Sequence, residues 1–420
     1  MILRSTDGLS ENEIKEALAK SLEGKNLRKV LLIPPDYTRM YSGAGMLTRI
    51  YYDLLEKSGA EIDIMPALGT HVPMTKEECR AFFGEKVPYE KLIPHNWRTD
   101  VEKVGIVPGE FVSEVSEGLV NTPIDVEVNK RLIHGGYDLI ISMGQVVPHE
   151  VVGMANYSKN IFVGVGGVSM INSSHMLGAF YGLERMMGRD FSPVRRVFDY
   201  AEETFIKDLP LLYVLTVTTN TGEKTNIHGL YIGRDRKNFE EAVKDSQRYN
   251  MNFVDEPFRK TVVYLDPREF KSTWLGNKAI YRTRMAMADG GELIILAPAV
   301  SKFGEDAEND VLIRKYGYVG REKVLELVKE NKDLQENLSV AAHLIHGSSD
   351  GRFSVTYAAG GLTKEEVEGA AFKYADCTEM MKKYDPTVLR DGYNEVDGEK
   401  IYYISNPALG LWADKKKFEL

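Results

Sequence analysis

Residues 137–175 read YDLIISMGQVVPHEVVGMANYSKNIFVGVGGVSMINSSH. Tyr137 to Met143 form a short, strongly apolar run, which predicts a buried parallel strand. The chain then opens into a loop carrying His149, Lys159 and His175, with the turn Gly164-Val165-Gly166-Gly167 between the lysine and the last histidine. In an open α/β sheet, ligands bind beyond the carboxyl ends of the strands. Two imidazoles, an amine and flexible backbone at such an end suggest chemistry. The same residues also admit a plainer reading, with the histidines hydrogen-bonded in loops and the glycines only turning the chain.

Working outward, the same strand-loop-helix grammar repeats. Ser10 and Glu13 have capping-box spacing ahead of Ile14, Leu18 and Leu22. Lys29 to Ile33 reads as a strand that breaks at Pro34-Pro35 and delivers Asp36-Tyr37-Thr38-Arg39. Met46 to Lys57 is helical, closed by Gly59. Glu61 to Pro66 is the next strand and delivers Leu68-Gly69-Thr70-His71, after which Thr75 and Glu78 open another helix. Residues 86–122 read as irregular, Ile124 to Val128 as a strand and Asn129 to His134 as a short helix. Lys159 is expected just ahead of an apolar strand, and residues 176–208 are expected to be helical with many charges on one face. A strand at Leu211 to Thr218, a turn at Thr221-Gly222-Glu223 and a helix at Phe239 to Tyr249 follow.

Asp255-Glu256-Pro257 marks a candidate boundary, so the expected domains are 1–256 and 257–420. Beyond it, strands are expected at Thr261 to Leu265, Glu292 to Leu296 and Phe353 to Tyr357. Helices are expected at Trp274 to Ala288, Glu322 to Glu330, Leu334 to Ile345 and from Thr363. Asp397-Gly398 signals a hairpin. The fold class is therefore α/β: two domains of mostly parallel sheet flanked by helices, with an active site expected in the cleft between them.

Composition sets bounds on this reading. A chain of 420 residues exceeds the ~250–300 at which one core stops growing. A net charge of −9 argues against binding nucleic acid or anionic membranes. No window approaches ~20 apolar residues, so no membrane span is expected. The N-terminal stretch lacks the apolar core of a signal peptide. Two cysteines, Cys79 and Cys377, make no disulfide framework and fit a cytoplasmic protein.

Individual motifs leave the chemistry open. Gly164-x-Gly166 lacks the third glycine of a dinucleotide fingerprint, although its backbone N–H groups suit a phosphate. His71, His149 and His175 could hold zinc, with Glu150 or Asp36 as base, which makes a zinc-dependent hydrolase an alternative. Lys159 could be a solvated lysine or a covalent attachment point. A non-catalytic binding protein for sugar acids is a third option.

Taken in order, Asp36-Tyr37-Thr38-Arg39, Leu68-Gly69-Thr70-His71, Pro148-His149, Lys159, His175 and the segment Trp274 to Lys278 resemble the lactate racemase family of nickel-pincer-nucleotide enzymes. The resemblance covers about residues 30–300. It implies that Lys159 holds the cofactor covalently, that His175 ligates nickel, and that Asp36, Thr38, Gly166 and Gly167 help hold the cofactor. It implies that His71 and His149 are paired acid/base groups, and that Arg39 and Lys278 meet the substrate carboxylate or developing oxyanion. The reaction implied is inversion of a 2-hydroxy acid at carbon 2 by proton-coupled hydride transfer, in a protein that depends on cofactor-biosynthesis enzymes. An oligomer stays open. The chain departs from the lactate enzymes at Trp274-Leu275, at Met40-Tyr41-Ser42 and at Met154-Ala155-Asn156-Tyr157-Ser158. These departures resemble the sugar-acid branch, D-gluconate/D-mannonate 2-epimerase, with Asn156, Tyr157, Ser158 and Asn172 as hydrogen-bonding partners of a polyol. Racemisation of lactate or another short 2-hydroxy acid is the runner-up.

Overall fold

A computed structural model describes residues 1–221 and 224–418. The expected turn at Thr221-Gly222-Glu223 falls largely outside the described residues. The chain divides into two compact units: Met1–Tyr181 with Arg185–Asn250, and Gly182–Glu184 with Met251–Leu420.

The strands of the first unit are β1 (Ile2–Arg4), β2 (Lys29–Ile33), β3 (Glu61–Ile64), β4 (Val101–Val107), β5 (Ile124–Asn129), β6 (Leu139–Gln145), β7 (Pro148–His149), β8 (Gly153–Met154), β9 (Leu211–Thr221) and β10 (Lys224–Ile232). Six of them form one sheet in the order β1-β10-β9-β6-β2-β3. β3, β2, β6 and β9 run parallel, and β10 and β1 close one edge antiparallel. β6 is buried on both faces apart from its last residue, as its apolar run predicts for a central parallel strand. The chain passes from β2 to β3 on one side and later returns to β6 on the other. The β2/β6 boundary is thus a topological switch point, with the loops after β2, β3 and β6 at its carboxyl edge. Apolar clusters cover both faces, one around Ile140, Phe162 and Phe198 and the other around Leu32, Tyr51 and Ile141.

Several expected elements are corrected. Residues 86–122 are not all irregular: β4 pairs antiparallel with β5, and a helix follows at Gly109–Val115. β4 lies in a two-stranded ribbon and is mostly half-exposed, so it lacks the clean alternation that marks a strand in sequence. The run after Lys159 is not a strand. Asn160–Gly164 is a buried π-helical turn, closed by the Val165 N–H donating to the Asn160 carbonyl at 2.9 Å. A segment buried on every side has no period to read. Residues 176–208 hold the end of a helix that starts at Val168 and ends at Tyr181, and a separate helix at Pro193–Phe205.

The strands of the second unit are β11 (Met251–Val254), β12 (Phe258–Tyr264), β13 (Met287–Ala297), β14 (Ser354–Ala359), β15 (Lys373–Tyr374), β16 (Gly392–Val396), β17 (Glu399–Ile404) and β18 (Leu411–Asp414). Six form a second sheet, β15-β14-β13-β12-β17-β16, parallel except for the β16/β17 hairpin. Its loop is Asp397-Gly398, both residues at positive φ, as a two-residue turn requires. β11 pairs with β18, which draws the division back to Met251 from the expected 256. Glu184 accepts from Arg284 at 2.9 Å and Arg352 at 2.6 Å, which fastens Gly182–Glu184 to this unit. Trp274 to Ala288 is not one helix but two short turns, Thr273–Gly276 and Lys278–Tyr281. Backbone bonds from Thr273 and Trp274 to Lys302 and Phe303 tie the first turn to a neighbouring loop.

Candidate active site

The expected residues of the first unit converge at the carboxyl edge of β2, β3 and β6. Past β2, Asp36 is buried and caps a short 3₁₀ turn. Its Oδ1 accepts from the Thr38 backbone N–H at 3.1 Å and from Thr38 Oγ1 at 2.5 Å. Its Oδ2 accepts from His71 Nδ1 at 2.6 Å. Burial pushes the carboxyl up, but His71, Thr38 and Arg39 outweigh it and hold Asp36 below the usual carboxylate range. His71, past β3, is itself 57% exposed on its side chain. Its loop is anchored by the Gly69 N–H donating to the Gly164 carbonyl at 2.8 Å. The β3 loop and the glycine turn are therefore one structure.

Past β6, His149 is buried in the short β7/β8 ribbon. The Val151 N–H donates to its Nδ1 at 3.1 Å, and Glu150 Oε2 stands 3.7 Å from the same nitrogen. Two successive residues, Asn156 and Tyr157, then adopt the left-handed conformation at φ 66° and 57°. Such strain persists only where the surroundings fix it. Here the fixing group is Arg195, fully buried on the inner face of the helix Pro193–Phe205. It donates to Ser158 Oγ at 2.7 Å and to the carbonyls of Met154 at 2.7 Å and Asn156 at 3.3 Å. Gly144 faces this kink: at φ 144°, a Cβ there would stand 2.2 Å from Asn156 Nδ2. Asn156 Oδ1 accepts from the Tyr157 N–H at 2.7 Å, and Tyr157 Oη donates to the Arg234 carbonyl at 3.1 Å. Asn156 Oδ1, Tyr157 Oη and Ser158 Oγ thus each have a partner inside the chain.

The kink leads into Lys159, a half-buried residue whose amine is desolvated. Burial lowers its ammonium pKa to about 8, and the charge of Arg39 pushes the same way. Glu150 opposes this, Arg195 adds to it, and Asp36 opposes it. Lys159 thus senses the loops after β2 and β6 together. His175, on the helix Val168–Tyr181, donates from Nδ1 to the Ile171 carbonyl at 2.6 Å, which places the lone pair of the neutral ring on Nε2. Burial holds this imidazole below its usual pKa, and Lys159 acts in the same sense.

The glycine turn is held from behind. Gly166 presents its carbonyl to His95 Nε2 at 2.9 Å, and Asn129 Nδ2 donates to His95 Nδ1 at 2.9 Å. A Cβ on Gly166 would stand 1.9 Å from the Phe162 carbonyl oxygen, and one on Gly167 would stand 2.4 Å from Glu127 Oε2. Glu127 accepts the Ser169 N–H at 2.9 Å, so a carboxylate already occupies that helix start. Sequence reasoning did not single out Arg195, His95 or Glu127. Glu127 alternates with apolar residues on β5 and reads as solvated, and nothing marks a charge on the buried face of a helix.

Trp274, Leu275 and Lys278 lie in the second unit, in the connection past the carboxyl end of β12. Trp274 stacks on His343 with centroids 4.2 Å apart. Lys278 Nζ stands 4.0 Å from Glu269 Oε1 and over the Phe270 ring at 5.6 Å. Among the described residues, no three His, Cys, Asp or Glu side chains cluster so as to hold a metal ion. The expected three-histidine zinc site therefore has no ligand cluster. No helix of the described residues is long and apolar enough to cross a membrane.

Residues 5–186, which carry this edge of loops, match a family model, the lactate racemase N-terminal domain. The particular relatives agree with it. The lactate racemase of Thermoanaerobacterium thermosaccharolyticum is 26% identical over 325 residues, 72% of this chain and 70% of that one. The apoprotein structure of lactate racemase from the same organism matches the fold with TM-score 0.73 at 18% identity, covering 97% of this chain and 93% of that one. A crystal structure of a protein from Thermotoga maritima matches with TM-score 0.84 at 25% identity, over 98% of this chain and all of that one.

Proposed function

We propose that this chain is an isomerase of the lactate racemase family, inverting carbon 2 of a 2-hydroxy acid with a covalently held nickel-pincer nucleotide. The observation that carries the reading is Lys159: a half-buried residue capping a π turn, whose desolvated amine has its pKa lowered to about 8, beside the carboxyl edge of a parallel sheet. An amine partly unprotonated near neutral pH is a competent nucleophile for covalent attachment. The residues present suit the group. His175 offers one imidazole nitrogen with its other nitrogen fixed by a backbone carbonyl, the usual support of a metal-bound histidine. His175 would be the protein ligand of a nickel ion carried by that cofactor.

Bound there, the nucleotide supplies reversible hydride acceptance. The chain's own residues do the rest. His71 and His149 exchange the substrate hydroxyl proton from opposite sides, because the hydroxyl changes sides on inversion. Arg39 and Lys278 pair with the substrate carboxylate. The specific substrate we propose is an aldonate, with D-gluconate/D-mannonate as the pair. Trp274-Leu275, without the amide of the lactate enzymes, supports it. Lactate is the second reading, supported by the name of the 26%-identical relative.

The test is protein co-produced with cofactor-building enzymes. Nickel at one equivalent, a mass adduct on Lys159 and inversion of gluconate bear the proposal out. Inversion of lactate in preference to gluconate transfers the substrate to the second reading. Zinc without an adduct overturns both.

A further inference from the structure

We propose that Asp36 is the positioning residue of His71, and that His71 and His149 rest in opposite neutral tautomers, His71 with a bare Nε2 and His149 with its proton on Nε2. This deepens the reading of the two histidines as acid/base groups and rests on it. A neutral imidazole carries its proton on one nitrogen only. His71 Nδ1 lies 2.6 Å from a carboxylate oxygen, which can only accept, so the proton sits on Nδ1 and Nε2 is bare. His149 Nδ1 instead receives the Val151 N–H at 3.1 Å, so its proton sits on Nε2. Glu150 Oε2 stands 3.7 Å from that Nδ1, longer than the Val151 bond.

The consequence is stereochemical. A hydroxyl facing His71 gives its proton directly to Nε2. A hydroxyl facing His149 meets an N–H, and that ring must first move its proton and release Val151. The resting protein is therefore set for the stereoisomer whose hydroxyl faces His71. Asp36 sets this polarity through a geometry open to a sharp test. Its Oδ1 is fixed as an acceptor by two Thr38 donors, at 3.1 and 2.5 Å. In Asp36→Asn the amide oxygen stays on Thr38, and the NH₂ group falls on His71 Nδ1. His71 must then accept at Nδ1 and carry its proton on Nε2.

The experiment is histidine-selective ¹⁵N NMR of the full-length protein, at a pH where both rings are neutral, with signals assigned through His71→Gln and His149→Gln. The expected parent spectrum shows the Nδ1–H form for His71 and the Nε2–H form for His149. Asp36→Asn is expected to reverse His71 and leave His149 unchanged. Equal tautomers in the parent, or an unaltered His71 in Asp36→Asn, overturn the proposal. The parent spectrum decides the tautomers even if the variant does not fold. In cofactor-loaded protein, Asp36→Asn should slow oxidation of one stereoisomer ~10²-fold more than its antipode. Equal slowing of both assigns Asp36 a structural role only and overturns its positioning of His71. The expected tautomers in a protein that inverts no hydroxy acid would instead refute the proposed function and leave this assignment standing.

Discussion

Lys159 concentrates the residue-scale chemistry. Its pKa of about 8 comes first from burial and then from Arg39. Amine-selective labelling of the cofactor-free protein, read by mass spectrometry across pH, should give a midpoint near 8 at Lys159, while surface lysines follow the ordinary ~10.4. A midpoint at the ordinary value would remove the nucleophile argument. The stability consequence has a definite sign. The folded chain holds this proton more weakly than the unfolded chain, so stability rises as pH climbs from about 8 to 10.5. Below that window, the native state carries the whole penalty. Lys159→Met should therefore raise stability at pH 7 by on the order of 2–3 kcal/mol, and the gain should fade toward pH 10.5. Thermal unfolding of parent and variant across that range checks it, and the variant should carry no cofactor adduct.

At the scale of elements, the glycine turn is a packed joint. Gly166→Ala places a methyl 1.9 Å from the Phe162 carbonyl, a backbone atom that no rotamer change can clear. We expect a loss on the order of 1–3 kcal/mol, with faster exchange of the amides around Gly164 to Gly167. Retention of parental stability would mean that the π turn relaxes easily. A milder case is the helix Lys76–Phe83, which follows the His71 loop and starts at the Thr75/Glu78 capping box. Thr75→Ala should cost ~1 kcal/mol in denaturant unfolding. It should disturb activity less than any change at His71. That capping box, like those at Ser10/Glu13 and Thr363/Glu366, was legible in sequence because capping is local. The π turn was not, because a segment buried on every side leaves no period to read.

At the scale of the molecule, the proposed machinery is divided between two units. Lys159 and His175, proposed to hold the cofactor, belong to the first, and Lys278, the proposed carboxylate partner, belongs to the second. Lys278→Ala should therefore leave the Lys159 adduct and the nickel content intact while inversion falls by at least ~10². Mass spectrometry and metal analysis beside a turnover assay check this. Loss of the adduct in that variant would show that loading itself requires the second unit.

The sequence by itself determined the strands β2, β3 and β6 and the loops after them that carry the candidate residues. Lys29 to Ile33 and the core of β6 are read correctly because apolar runs between turn residues report burial directly. Asp36, Arg39, His71 and His149 fall at strand ends for the same reason. The sequence also carried the ordered motif set, since spacing along the chain survives changes in the residues between. Only the tertiary structure decided what those residues do to one another. The Asp36–His71 bond joins groups 35 positions apart, and Arg195 reaches back 37 positions to Ser158. Such contacts leave no period in the chain. Tautomers, the lowered lysine and the supported kink all follow from burial and from neighbours that come together only when parallel strands align their carboxyl ends.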